Sequence, residues 1–252
     1  MVRPEWGENT RTALEEVVDD QPIVVVPTGA IEQHGTHLPV DTDTSITAAI
    51  AGSAAERTEN ALATPPVCFG YSPHHGGVPG TITLRSETFM AMMRDVLASI
   101  YDDGFERIVV LNGHGGNRAV LQTAVSDFRT ERDVSVALIS YWDLIEPEVA
   151  AVRDSEAGGV SHGGEMETSL QLFLREELVD EPEQDFVRDD REGYARTDLF
   201  GSGAVYYPGH FDEKTETGVS GAPSSASAEK GKRLFEQSVE AISAFLREYE
   251  TW

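Results

Sequence analysis

Two short apolar runs constrain the fold more than any other feature. Ile23 to Val26, and the Ile-Val-Val-Leu that follows Arg107 up to Leu111, are apolar at every position, and each runs straight into a loop rich in glycine and histidine. A run with no apolar/polar alternation predicts a strand covered on both faces. The segments around these runs have helical spacing. Ser86 opens the clearest helix, with Phe89, Met92, Met93, Val96, Leu97 and Ile100 on one face and Gly104 at its end. Asn9 or Thr10 caps a short helix carrying Ala13, Leu14, Val17 and Val18, and Asp43 to Glu56 reads as an Ala-rich helix. Further helices carry Leu121, Ala124, Val125 and Phe128, then Met166, Leu170, Phe173 and Leu174, and finally Leu234 to Leu246 within Ser227 to Tyr249. Ala61 to Cys68, a short strand interrupted by Pro65 and Pro66, and Val134 to Trp142 read as two more strands, and Pro147 to Gly159 as a loop or short helix. Glu177 to Tyr206 is acidic and irregular, and Tyr207 to Ala226 is loop. Strands alternating with helices predict an α/β fold, a mostly parallel sheet with helices on both faces, as one domain over residues 1–252.

In such sheets ligands sit beyond the carboxyl ends of the strands. The loop Pro27 to Asp43 leaves one such end and holds Glu32, His34, His37, Asp41 and Asp43. Carboxylates and imidazoles crowded there suit a divalent metal ion; the competing reading is a polar surface loop with unrelated histidines. Asn112 to Asn117 leaves the second end with His114 between glycines, so parallel strands would put both loops on one edge. The P-loop Lys and Ser/Thr are absent, which weakens a phosphate-cradle reading of that turn. Ser161 to Ser169 places His162, Glu165 and Glu167 at a helix start. The helix dipole accounts for Glu165, while His162 and Glu167 read as functional. Ser72 and His75 lie in the loop Gly70 to Thr83. Neither a Gly-x-Ser-x-Gly elbow nor a dinucleotide fingerprint occurs.

The formal net charge is −25, with Lys214, Lys230 and Lys232 the only lysines. Such a surface repels nucleic acid and anionic membrane, so neither is an expected partner. Cys68 is the only cysteine, which excludes an internal disulfide and reads as a small core hydrophobe. Met1 to Gly7 lacks the basic start and apolar core of a signal peptide, and no apolar run approaches spanning length. The expectation is a soluble cytoplasmic protein suited to high salt.

Glu32-Gln-His-Gly-Thr-His-Leu-Pro with Thr42-Asp43, Val78-Pro-Gly-Thr81, Asn112-Gly-His-Gly-Gly-Asn117 and His162-Gly-Gly-Glu-Met-Glu-Thr-Ser169 resemble the creatininase family. Gly218-Val-Ser-Gly-Ala-Pro and Ala228-Glu-Lys-Gly231 resemble its C-terminal loop and helix. The resemblance runs in order along nearly the whole chain. It implies a three-layer α/β/α sandwich, a small-molecule amide substrate, two divalent ions (Zn, Mn or Fe) and a homo-oligomer, often a hexamer. By position it implies Glu32, Asp43 and His114 on one ion, His34 and the shared Asp43 on the other, and His162 as the proton shuttle. The expected mechanism is attack on the amide by hydroxide from an ion-activated water, with Ser72, His75 and the amides of Gly115 and Gly116 expected to line the substrate pocket.

Two positions depart from creatininase. Its carboxylate two residues after the motif histidine is here Gly116, and Glu167 is the expected replacement ligand. Its Trp four residues before the shuttle histidine is here Gly158, which argues against creatinine as substrate. Formylamino-pyrimidine deformylation and small peptide-derived amides remain open, as does a non-catalytic metal-binding protein. A metal phosphoesterase is disfavoured, because Arg118 is the one cation near the motifs.

Self-repulsion at this charge is screened by salt. The melting temperature should therefore rise from low to molar salt, as read by calorimetry; equal stability at both extremes would count against the high-salt expectation.

Overall fold

The computed structural model describes residues 2–187, 198–200, 204–205, 209–211 and 215–252. Four strands, β1 (Ile23–Thr28), β2 (Ala61–Ala63), β3 (Arg107–Asn112) and β4 (Ser135–Ser140), form a sheet in the order β2-β1-β3-β4. Every pairing is parallel, with Ile23 opposite both Ala61 and Arg107, and Arg107 opposite Ser135. Helices α1 (Arg11–Val17), α2 (Thr42–Glu56), α3 (Ser86–Asp102), α4 (Arg118–Glu131), α5 (Glu146–Val152), α6 (Glu165–Arg175) and α7 (Ala228–Tyr249) surround it. None is long and apolar enough to cross a membrane.

The unbroken apolar runs follow from two cores. Ile23 and Val25 pack with Ile46 and Ile50 of α2 and Leu234, Ile242 and Leu246 of α7. Val24 and Val26 face the other way, onto Phe89, Met93 and Leu97 of α3 and Leu121 and Phe128 of α4. Successive strand side chains point to opposite faces, so a strand buried on both sides needs an apolar residue at every position. The result is the expected three-layer α/β/α sandwich.

Several boundaries differ from expectation. β2 stops at Ala63, because Pro65 and Pro66 cannot donate to a ladder. The chain still bonds to β1 through the Thr64 and Val67 amides, and Cys68 is half-buried rather than core. β4 ends at Ser140, and Tyr141–Leu144 turns into a 3-10 segment. Thr10, not Asn9, caps α1 by accepting from the Ala13 amide at 3.3 Å. Of the irregular stretch and loop expected over Glu177 to Ala226, residues 188–197, 201–203, 206–208 and 212–214 lie outside the described residues.

The Glu165 side chain is structural, as expected. It accepts from the Asp154 and Ser155 amides, both at 2.9 Å, and from the Lys230 ammonium. Lys230 also reaches Asp154 at 2.6 Å and the Ser225 carbonyl at 2.7 Å, tying the start of α7 to the start of α6. Burial works against charge on Glu165, but Lys230 and the donors around it hold its pKa below the ordinary value. The group therefore stabilises the fold above its unfolded pKa, and this is lost as pH falls through the lowered one. Lys230→Met should cost about 2–4 kcal/mol in urea denaturation near neutrality. The gap to wild type should shrink in acid.

Candidate metal centre

All four strands end on one edge of the sheet, so the loops after β1 and β3 meet there as expected. Two glycines let α2 close on both loops. A Cβ at Gly29 would lie 2.5 Å from the Thr44 backbone, and one at Gly113 would lie 1.6 Å from Thr47 Oγ1. Asn117 fastens a third loop, accepting from the Tyr71 amide at 2.8 Å and donating to the Gly29 carbonyl at 3.0 Å. These contacts bring Asp43, in the first turn of α2, into reach of His34 and His114.

The groups interlock. His34 Nδ1–H donates to the Glu32 carbonyl at 3.1 Å, which turns Nε2 toward Asp43 Oδ1 at 3.1 Å and Glu167 Oε2 at 3.8 Å. A ring nitrogen oriented by a carbonyl on its far side is the usual arrangement of a metal-facing histidine. His114 Nδ1 lies 2.9 Å from Asp43 Oδ2, and its Nε2 lies 3.2 Å from Glu32 Oε2. Glu32 Oε1 lies 3.2 Å from His75 Nε2 and 3.5 Å from His162 Nδ1. Glu32 is 1% exposed and Asp43 3%, and Glu32 Oε2 and Asp43 Oδ2 have no donor in good hydrogen-bonding geometry, only the His114 ring nitrogens at ion-pair distance. A buried carboxylate oxygen without a donor is costly, and a cation removes the cost. The ligand atoms of Glu32, His34 and Asp43, and those of His34, His162 and Glu167, lie within 4.8 Å of one another. The donor set therefore fits divalent metal.

Without a cation the charges sit on the imidazoles. Burial opposes charge on His34, but Asp43, Glu167 and Glu32 override it and push its pKa up to about 10. Glu32 and Asp43 likewise push His114 up to about 9 against its burial. Glu32 is held well below the usual carboxylate range despite burial, by His114, His75 and His162. Burial, with Asp43 nearby, raises Glu167 to about 7 against the pull of His34. Burial pulls His162 well down, and His34 and His75 add to the effect, so its ring is neutral.

The structure brings Glu32, His34, Asp43, His114, Ser72, His75, His162 and Glu167 together at this edge. Ser72 Oγ is 3.1 Å from His114 Nε2, and Gly116 lies against His114. Gly115 is exposed and faces open space. His37 and Asp41 do not join the cluster. His37 pairs with Thr168 at 2.9 Å, and Asp41 accepts two bonds from Arg175 at 2.8 and 2.9 Å; both tie the loop to α6.

Gln33, Phe211 and Tyr141 also belong to the site. The Gln33 amide nitrogen lies 2.8 Å from His75 Nδ1 and donates to the Gly218 carbonyl at 3.0 Å. Its signal in the sequence is its place between Glu32 and His34. Phe211 stacks on His75, centroids 4.3 Å apart, and sits 4.7 Å from His162. The Tyr141 phenol is buried near Glu167 and Asp43, which raise its pKa further. Neither of these two rings carries a mark in the sequence.

Metal must displace the protons that His34 and His114 hold. Calorimetric titration of zinc into metal-free protein near about pH 8, in buffers of different ionisation enthalpy, should show net proton release. Affinity should fall as pH falls; proton-neutral binding would contradict the geometry.

Comparison with known proteins agrees with the residue pattern. The creatininase family model, described as creatinine amidohydrolase, matches residues 7–246. A mycofactocin precursor peptide peptidase from Mycolicibacterium smegmatis is 32% identical, covering 97% of this chain and 91% of that protein. Creatinine amidohydrolase from Pseudomonas putida is 30% identical, covering 90% and 89%. The solved structure of an E122Q mutant creatininase of Zn-Zn type superposes with a TM-score of 0.82 at 27% identity, covering 98% of both chains. With its sheet, its edge-loop cluster and a match over nearly its whole length, the chain belongs to the creatininase family and is a hydrolase.

Proposed function

We propose that this chain, acting as a single domain over residues 1–252, is a metal-dependent amidohydrolase that cleaves a non-peptide carbon–nitrogen bond of a small molecule. The observation that carries this is the pair of buried, unbonded carboxylate oxygens, Glu32 Oε2 and Asp43 Oδ2, facing imidazoles at the sheet edge. Glu32, Asp43 and His114 would hold one divalent ion, and His34, Asp43 and Glu167 a second, a reading supported by the contacts of His114 with both carboxylates and of His34 with Asp43 and Glu167; the donors and the Zn-Zn creatininase neighbour favour zinc. Bound there, such ions supply a water of lowered pKa and a Lewis acid for the amide carbonyl.

The chain's own groups manage the proton. His162 Nε2–H donates to the Gln33 carbonyl at 2.7 Å, which leaves Nδ1 as the acceptor on the cluster side. In this reading that nitrogen takes the proton of the attacking water and passes it to the departing nitrogen. Phe211 and His75 shield this transfer from bulk water. Ser72, His75 and Gly116 border the cluster and contact substrate in this reading, with Gly115 at its outer rim.

Gly158 has φ of +94° and donates its amide to Asp198 at 3.0 Å, so a large side chain there would be strained. That supports a substrate other than creatinine. A second reading, hydrolysis of an amide within a short peptide, is favoured by the 32% identity to a peptide peptidase over 97% of the chain.

Glu32→Gln and His114→Ala should each abolish turnover and lower bound metal, read by elemental mass spectrometry. His162→Ala should keep its metal while losing about 10²–10⁴-fold in rate. Zinc-loaded protein should release amine or formate from formamides, cyclic amides or short peptides. Full metal content with normal turnover in Glu32→Gln would end the reading.

A further inference from the structure

Glu32 is approached by histidines from two sides. His75 and His162 face Oε1, whereas Oε2, the oxygen without a hydrogen bond, faces His114. The ligand atoms of Glu32, His114 and His74 lie within 4.8 Å of one another. The His74 ring lies beside that of His114, centroids 5.8 Å apart with near-parallel planes. Pro73 starts the 3-10 turn Pro73–His75, and the His74 carbonyl accepts from the Phe211 amide at 2.9 Å, which fixes the backbone that carries the ring. The turn therefore aims two consecutive histidines at one carboxylate.

Gly116 explains why there is room. A Cβ at this position would lie 2.9 Å from His74 Cε1, as well as 2.4 Å from His114 Nε2 and 2.5 Å from the Tyr71 carbonyl oxygen. Any side chain at 116 and the His74 ring compete for the same space. Imidazoles beside a carboxylate are donors that suit zinc.

We infer that His74 is a metal ligand, joining Glu32, His114 and the shared Asp43 at the first ion in the space that the absent side chain at Gly116 leaves. This rests on the metal-centre reading above. The other half, His34, Asp43 and Glu167, does not depend on it. Because His74 is half-exposed, the ion it helps hold is the more accessible of the two.

The test uses the full chain, His74→Gln and His74→Ala, loaded with cobalt(II) or zinc after chelator treatment. Wild type should bind two ions. Both variants should keep one ion at wild-type affinity, lose at least about tenfold in affinity for the other, and change the cobalt visible spectrum. Metal-free melts of wild type and variants should coincide, which separates ligand loss from misfolding. Unchanged stoichiometry, affinity and spectrum in a folded variant would overturn the assignment of His74. If wild type itself bound no metal, the metal-centre reading would fail instead. Should neither variant fold, X-ray absorption of the zinc-loaded wild type decides. An imidazole count matching His34, His114 and His74 supports the assignment, and one matching His34 and His114 alone overturns it.

Discussion

Two carboxylates buried to within a few per cent, side by side with imidazoles, are the constraint on which the rest of this structure depends. Ionised Glu32 and Asp43 would be strongly destabilising in a dry interior without positive charge close by. The fold answers with proton-holding His34 and His114, and the same rings can exchange those protons for cations. Glu167, poised about neutrality by burial, sits at the same balance between proton and metal. The chemistry assigned to the site and the electrostatic strain within it have one origin.

The sheet makes that strain sustainable. Two apolar cores clamp β1 and β3 from both faces, so their exits are rigid platforms. Asn112 accepts from the His114 amide at 3.1 Å and donates to its carbonyl at 2.9 Å, holding the ring that links both carboxylates. Asn117 and the two close glycine approaches then lock α2 and the Tyr71 loop against the same edge. Outside the cluster, Lys230 and Glu165 join α6 to α7 and so hold the helix that presents Glu167.

Much of this is legible in the residues themselves. Unbroken apolar runs announce doubly covered strands, and Gly-rich exits carrying histidine announce the edge where ligands bind. What the sequence obscures is direction. His37 lies between His34 and Asp43 in the chain yet turns away to Thr168, because a loop has no fixed period from which to read orientation. Asp41 reads as a ligand and serves Arg175, a partner far along the chain. Phe211 is hidden for the opposite reason: it stands in a stretch of glycine, proline and serine, and only the fold brings it onto His75. The end of β2, by contrast, is marked in the sequence by the prolines that follow it, which cannot donate.

The order of these groups along the chain has a consequence for biosynthesis. Glu32, His34 and Asp43 leave the ribosome early, whereas His162 and Glu167 come more than a hundred residues later, and the Gly218 segment that fastens Gln33 comes later still. A nascent chain holding only the early groups has the carboxylates without the walls that desolvate them. In the proposed reading, tight capture of a cation would thus wait for these later segments.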